Sequence, residues 1–151
     1  MTKNPPTVVR RMSLLALAVL AACAIVPLQP DLEAKAPVLE GFGRSDMPVT
    51  TRSDVARRLY HAGVLQAYAF NEKEAVRQFK AALAADPGCA MCAWGVAWQL
   101  GPIINARQRG DLTEARQYVD HAVRHAQGGT ARERALIDAM AVRYDVAPRA
   151  G

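Results

Sequence analysis

Glu72-Lys73-Glu74-Ala75-Val76-Arg77-Gln78-Phe79-Lys80-Ala81-Ala82-Leu83-Ala84-Ala85-Asp86-Pro87 reads as one complete helix with its own stop signal. Ala75, Val76, Phe79, Ala82 and Leu83 recur at the 3.6-residue period, so they share one face. Asp86-Pro87 ends the run, because a proline pushes the residue before it out of the helical region. Upstream, Val55, Leu59, Ala62, Gly63 and Gln66 trace a second stripe, with Gln66 its one polar member. Thr51 and Ser53 offer N-caps to that helix, and Asp54 suits the positive end of its dipole. Asn71 breaks the chain between the two, so the pair reads as a helix–turn–helix.

The rest of the composition agrees with helices. The chain has 151 residues, the length of one ordinary domain, which excludes a two-lobed enzyme with a cleft between its halves. Its 51% hydrophobic content leans on alanine, a strong helix former of small volume. A charged fraction of 22% is that of a globular chain, not a disordered one. The formal charge of +5 falls to +2 once Lys3, Arg10 and Arg11 are set aside with the N-terminal leader. A surplus that small, spread along helices, describes solvated faces and gives no ground for a nucleic-acid partner.

A second copy of the pattern follows. Glu114-Ala115, Val119 and Ala122 repeat Glu74-Ala75, Phe79 and Ala82 at an offset of 40 residues. The helix before it runs from about Ala90 to Leu100, and an inserted turn begins at Gly101-Pro102. Gly110-Asp111 marks the turn into the second helix of this copy, which ends at Gly128-Gly129. Thr130 with Glu133 forms a capping box that opens a last helix, whose stripe is Ala135, Leu136, Ala139, Met140 and Tyr144.

Gly63, Ala75, Phe79, Ala82 and Pro87 stand at the spacing of the tetratricopeptide repeat, a 34-residue helix–turn–helix unit, and the chain resembles that family. Small residues fit where paired helices approach, and Phe79 is the knob between pairs. Leu59, Ala62 and Gln66 depart from the usual Trp, larger aliphatic and Tyr. The wording Ala67-Tyr68-Ala69-Phe70-Asn71, Asp86-Pro87, Cys89-Ala90-Met91-Cys92-Ala93-Trp94-Gly95 and Gly101-Pro102 is similar to exported bacterial members of the family. The resemblance implies an all-α solenoid over 51–146, about two repeats plus one further helix, with a tail at 147–151. Such stacks want about three repeats, so the last helix lacks a partner. The chain is then expected to be an N-terminal fragment or to oligomerise.

The N-terminus carries a basic stretch ending in Arg10-Arg11, an apolar run from Leu14 to Ala22, and then small residues. That is the layout of a signal peptide over 1–22, too short to span a bilayer. Leu20-Ala21-Ala22-Cys23 resembles the lipobox of bacterial lipoproteins, which makes Cys23 the expected lipidation site and the membrane a partner through its anchor. Soluble export and an uncleaved anchor are the alternatives. Ala24 after the cysteine leans, by the same resemblance, towards the outer membrane facing the periplasm. Residues 23–50, with Pro27, Pro30, Pro37, Pro48, Gly41 and Gly43, read as a flexible tether. The competing reading docks Val38, Leu39 and Phe42 on the domain.

Cys89-Ala90-Met91-Cys92 begins a helix, where the dipole lowers a thiol pKa. It reads as a disulfide across one turn or as two small buried residues. A redox pair and half a metal site are the functional alternatives. Two thiolates fall short of the four ligands of structural zinc, and Ala93 excludes the usual haem attachment. His121 and His125 share a helix face at i, i+4, and His61 stands apart. No Gly-rich phosphate loop or serine elbow appears, so neither an enzyme nor a cofactor is expected.

Tetratricopeptide units bind peptides on the face lined by the first helix of each pair. By that resemblance the groove is Arg57, Tyr60 and Val64, with Met91, Trp94 and Trp98 34 residues further on. Aromatic anchors suit a protein or peptide partner; the alternative is an internal wall that packs against further repeats or the tether. The expected function is an envelope-tethered scaffold for protein–protein interaction. The alternatives are a redox or metal-handling module built on Cys89 and Cys92, or an inactive fragment.

Overall fold

The computed structural model describes residues 37, 38, 40–102 and 112–146. The signal peptide, Cys23, the first part of the tether, the Gly110-Asp111 turn and the tail lie outside them. The described residues form five α-helices and no strand: α1 (Asp54–Tyr68), α2 (Glu72–Ala85), α3 (Ala90–Leu100), α4 (Thr113–His125) and α5 (Ala131–Arg143). A 3-10 turn, Ala126–Gly128, links α4 to α5. None of these helices is long and apolar enough to cross a membrane.

The helices pack in sequential pairs. α1 lies on α2 and α3 on α4, and the pairs join along α2 and α3. Three residues, Ala69 to Asn71, connect α1 to α2, which makes them antiparallel neighbours. Phe79 on α2 is fully buried and sits between two glycines. A Cβ placed on Gly63 of α1 would come within 2.8 Å of the ring, and one on Gly95 of α3 within 2.5 Å. Only hydrogen leaves room, so the ring packs directly on both backbones.

The positions related by the 40-residue offset are equivalent in packing. Ala75 and Ala115, Phe79 and Val119, Ala82 and Ala122 are all buried. Lys80 of α2 reaches Glu114 of α4 at 2.8 Å and lies over the Tyr118 ring. α5 packs on α3 and α4.

Two helical stripes differ from the sequence reading. Val55 is exposed, because Ala56 beside it takes the buried position in the first turn of α1. On α5, Ala135 and Ala139 are exposed while Glu133, Ile137 and Ala141 are buried. The stripe was displaced because alanines fit either face and Glu133 hides a charge inside. Met140 and Tyr144 are buried as expected, and the Tyr144 hydroxyl donates to Ala97 O at 2.9 Å.

The described part of the expected tether is instead a strap on the helices. Gln78, fully buried on α2, donates Nε2 to Pro37 O at 2.6 Å. Met47 and Val49 pack against the core, while Val38 and Phe42 are exposed. Thr50 gives its N–H and its hydroxyl to the Glu133 carboxylate, the latter at 2.7 Å. Thr51 donates its hydroxyl to Asp86, in the turn between α2 and α3. Ser53 then caps α1, accepting from Ala56 N at 3.1 Å. The Thr50 and Thr51 side chains thus have partners far along the chain that a free segment would not reach.

Candidate functional site

The capping box on α5 forms as read: Thr130 accepts from Glu133 N, and Glu133 accepts from Thr130 N. Glu133 does more than cap. Burial alone would raise its carboxyl pKa, but the hydrogen bonds from Thr50 and Thr130 outweigh that and hold it below the ordinary range. Close by, the Tyr60 hydroxyl is buried and has no hydrogen-bond partner among the described residues. Burial first, and then the Glu133 charge, push its pKa far up. It stays neutral.

The predicted groove is filled. Tyr60, Val64, Met91 and Trp94 are all buried, and the Trp94 indole N–H donates to Leu136 O of α5 at 3.1 Å. α5 therefore covers the α3 half of the wall, and those four residues are core. Arg57 is exposed but engaged, bonded to Asp54 at 2.7 Å and to Thr51 O at 2.8 Å. Of the six, only Arg57 and part of Trp98 reach solvent.

From Trp98 the aromatic packing continues outward. Tyr60 contacts Phe79 with ring centroids 5.6 Å apart, and Phe79 contacts Trp98 at 6.5 Å. Trp98 touches Trp94 at 5.3 Å and meets Tyr68 edge-on at 5.8 Å. Tyr68 is 68% exposed and the adjacent Phe70 90% exposed. The column runs from the core to an aromatic edge at the C-terminal ends of α1 and α3.

Phe70 is also in a left-handed backbone conformation, with φ of 59°. The reason is local. Asn71 N bonds to Gln66 O at 2.9 Å and Phe70 N to Ala67 O at 3.1 Å, the double closure of a Schellman helix end. The Asn71 side chain also reaches Gln66 Oε1 at 2.9 Å. That motif places its left-handed residue at 70, where glycine is favoured and a bulky side chain is strained. α5 ends the same way, with Val146 N on Ala141 O and φ of 53° at Asp145. Aspartate tolerates that region; phenylalanine does not. Neither packing nor backbone preference accounts for a phenylalanine at 70.

The cysteines form a disulfide, Cys89–Cys92, with both residues fully buried. Cys89 caps α3, its Sγ accepting from Cys92 N at 3.2 Å. An external thiol reaches neither sulfur without opening the start of α3. His121 holds the preceding turn through a 2.8 Å hydrogen bond between Nε2 and Pro87 O, and its ring lies 4.5 Å from that of His125. Burial lowers the His121 pKa; the Pro87 bond opposes this, and the nearby His125 and Arg124 add to the lowering. No group of three His, Cys, Asp or Glu among the described residues could hold a metal ion. A cavity of about 60 Å³ beside Thr50, Met91, His125 and Glu133 has room for water but not for an organic substrate.

Set against known proteins, the chain matches no family model, no curated protein and no solved structure. Tyr68 and Phe70 stand in the Ala67–Asn71 stretch of the motif, outside the six groove positions that the resemblance implies. The available signal was a phenylalanine just before Asn71, where a helix end wants glycine.

Proposed function

We propose that this chain is a tetratricopeptide-like adaptor of the bacterial cell envelope, held to the membrane through a lipidated Cys23. Its aromatic edge, Tyr68, Phe70 and Trp98, takes an apolar segment of a partner protein. The observation that carries this reading is Phe70, an almost fully exposed aromatic ring on a strained backbone. Strain of that kind collects at binding sites, where function retains what stability alone would remove. Exposed aromatic rings also dominate the energetics of interfaces. The repeat-like helix pairs support the adaptor class, and the lipobox-like Leu20-Ala21-Ala22-Cys23 supports the anchor.

The test is a photo-crosslinking amino acid at position 70 in intact cells, with position 142 as the control. Val142 on α5 is another exposed apolar side chain, 71% open, but it sits on an ordinary helix. Crosslinking to one protein from 70 and not from 142 is the expected result. Equal or absent crosslinking at 70 contradicts the reading. Mass spectrometry of the mature N-terminus checks the anchor separately, by acyl chains on Cys23.

A further inference from the structure

Across α1 from its buried face, the strap and the helix enclose a cleft of about 330 Å³, within the size range of small-ligand sites. Its polar lining is Arg44 and Ser45 from the strap and Arg57, Arg58 and His61 from α1, over an apolar floor that includes Leu65. Among the described residues, no carboxylate lines it. Three arginines line a space large enough for a ligand, and an anion bound there would be held by their charge.

The arginines are unequally engaged. Arg57 is held in place by Asp54 and Thr51 O. Arg44 and Arg58 have no hydrogen-bond or ion-pair partner among the described residues. His61 has a buried Nδ1 with no partner either. A buried polar atom without a partner is costly and asks for one. The strap brings Arg44 over α1 through Gly41 and Gly43, both left-handed at φ of 88° and 91°. Those values suit glycine alone, so the chain bends there without strain.

We propose that this cleft binds a small ligand bearing a phosphate group, with Arg44 and Arg58 taking the oxyanion and the organic body resting on the Leu65 side. The planar guanidinium fork matches phosphate oxygens, and two unpaired forks beside a pinned third supply the charge for a dianion. Arg57 occupies the Asp54 carboxylate, so Asp54 does not compete with the ligand for Arg44 and Arg58. The site stands on the strap side of α1 and is independent of the aromatic edge and of the adaptor reading.

Two sources share this chemistry, a free phosphate monoester and the headgroup of a lipid. Calorimetric titration of the full chain in detergent solution separates them, with phenyl phosphate as one probe and dihexanoyl phosphatidic acid as the other. Phenol and inorganic phosphate are the controls. Saturable binding of either phosphate probe, weakened roughly tenfold or more by Arg58→Gln and by Arg44→Gln, is the expected result, since each removes a charge-assisted bond. The tighter probe identifies the source. Arg52→Gln, exposed and outside the cleft, should bind as wild type does. Circular dichroism confirms that each variant is folded. Binding of neither phosphate probe, binding of phenol as tight as phenyl phosphate, or unweakened, wild-type binding by the Arg44 and Arg58 variants would each overturn the proposal.

Discussion

α1 and α3 occupy corresponding places in the two helix pairs, yet they are buried to very different degrees. α3 carries no charged residue, and every position from Ala90 to Ala97 is buried. α1 buries one face and shows Arg57 and Arg58 to water. The cause is position in the stack. α3 has α1, α2, α4 and α5 around it, whereas among the described residues α1 lies at the end of the stack with the strap along its outer side. The lesson is that equal spacing in a repeat does not give equal exposure. The resemblance treated Tyr60 and Trp94 as matching groove positions, and both are interior. Both candidate binding surfaces therefore involve α1, one at its C-terminal end and one along its strap side.

The largest expected effect lies where the two helices share a contact. Phe79→Ala should cost about 3–5 kcal/mol, because the ring fills the space between Gly63 and Gly95. Chemical denaturation measures it. A change below about 1 kcal/mol would mean the pairs do not meet on that ring.

The glycines sharpen the comparison. Gly95→Ala and Gly63→Ala should both destabilise by overpacking, by about 1–3 kcal/mol, with Gly95→Ala the worse. Its Cβ would lie closer to the ring, and α3 has neighbours on every side, while α1 can shift outward. The reverse order would break the edge-versus-interior account.

The start of α3 is the next weakest point. Replacing Cys89 and Cys92 together by serine removes a four-residue loop closure worth about 2 kcal/mol and puts hydroxyls in a buried site. Thermal midpoints with and without reductant check this. Crosslinking from position 70 should persist in the double variant if it remains folded, which sets the disulfide apart from the binding edge.

A smaller effect comes from pH. His61 on α1 has its pKa lowered by burial and then by the Arg57 charge, and His121 beside the α3 turn has its own lowered chiefly by burial. The folded state then binds fewer protons than the unfolded chain, whose histidines titrate near 6.5. Their contribution is whole above that pH and is lost as pH falls through it to the lower folded values. Glu133, with a lowered pKa, adds a loss of the same sign below about 4.5. Denaturation midpoints should therefore fall between about pH 7.5 and 5.5, and His121→Gln should flatten the slope more than His61→Gln. His121 is the more buried of the two.

The helices were legible because their signals are local. Asp86-Pro87, the Thr130–Glu133 box and the Phe79 stripe need no knowledge of what lies across the fold. The covering of Trp94 by Leu136 and the anchoring of Thr50 by Glu133 were not legible. Both join residues far apart in sequence, and neither leaves a periodic trace. The strap failed for a related reason. Prolines and glycines mark an irregular chain, but composition alone does not say whether that chain is free or docked. Phe70 lay in plain view, yet its meaning depends on φ, which Asn71 and Gln66 set together.

The most direct test is the unfolding free energy of Phe70→Gly. Glycine relieves the left-handed strain and loses almost no packing, since the ring is exposed. The expected result is a gain of about 0.5–1 kcal/mol after the entropy cost of glycine. Equal or lower stability would show that the phenylalanine serves the fold itself, and the aromatic edge would lose the observation that marks it as a binding site.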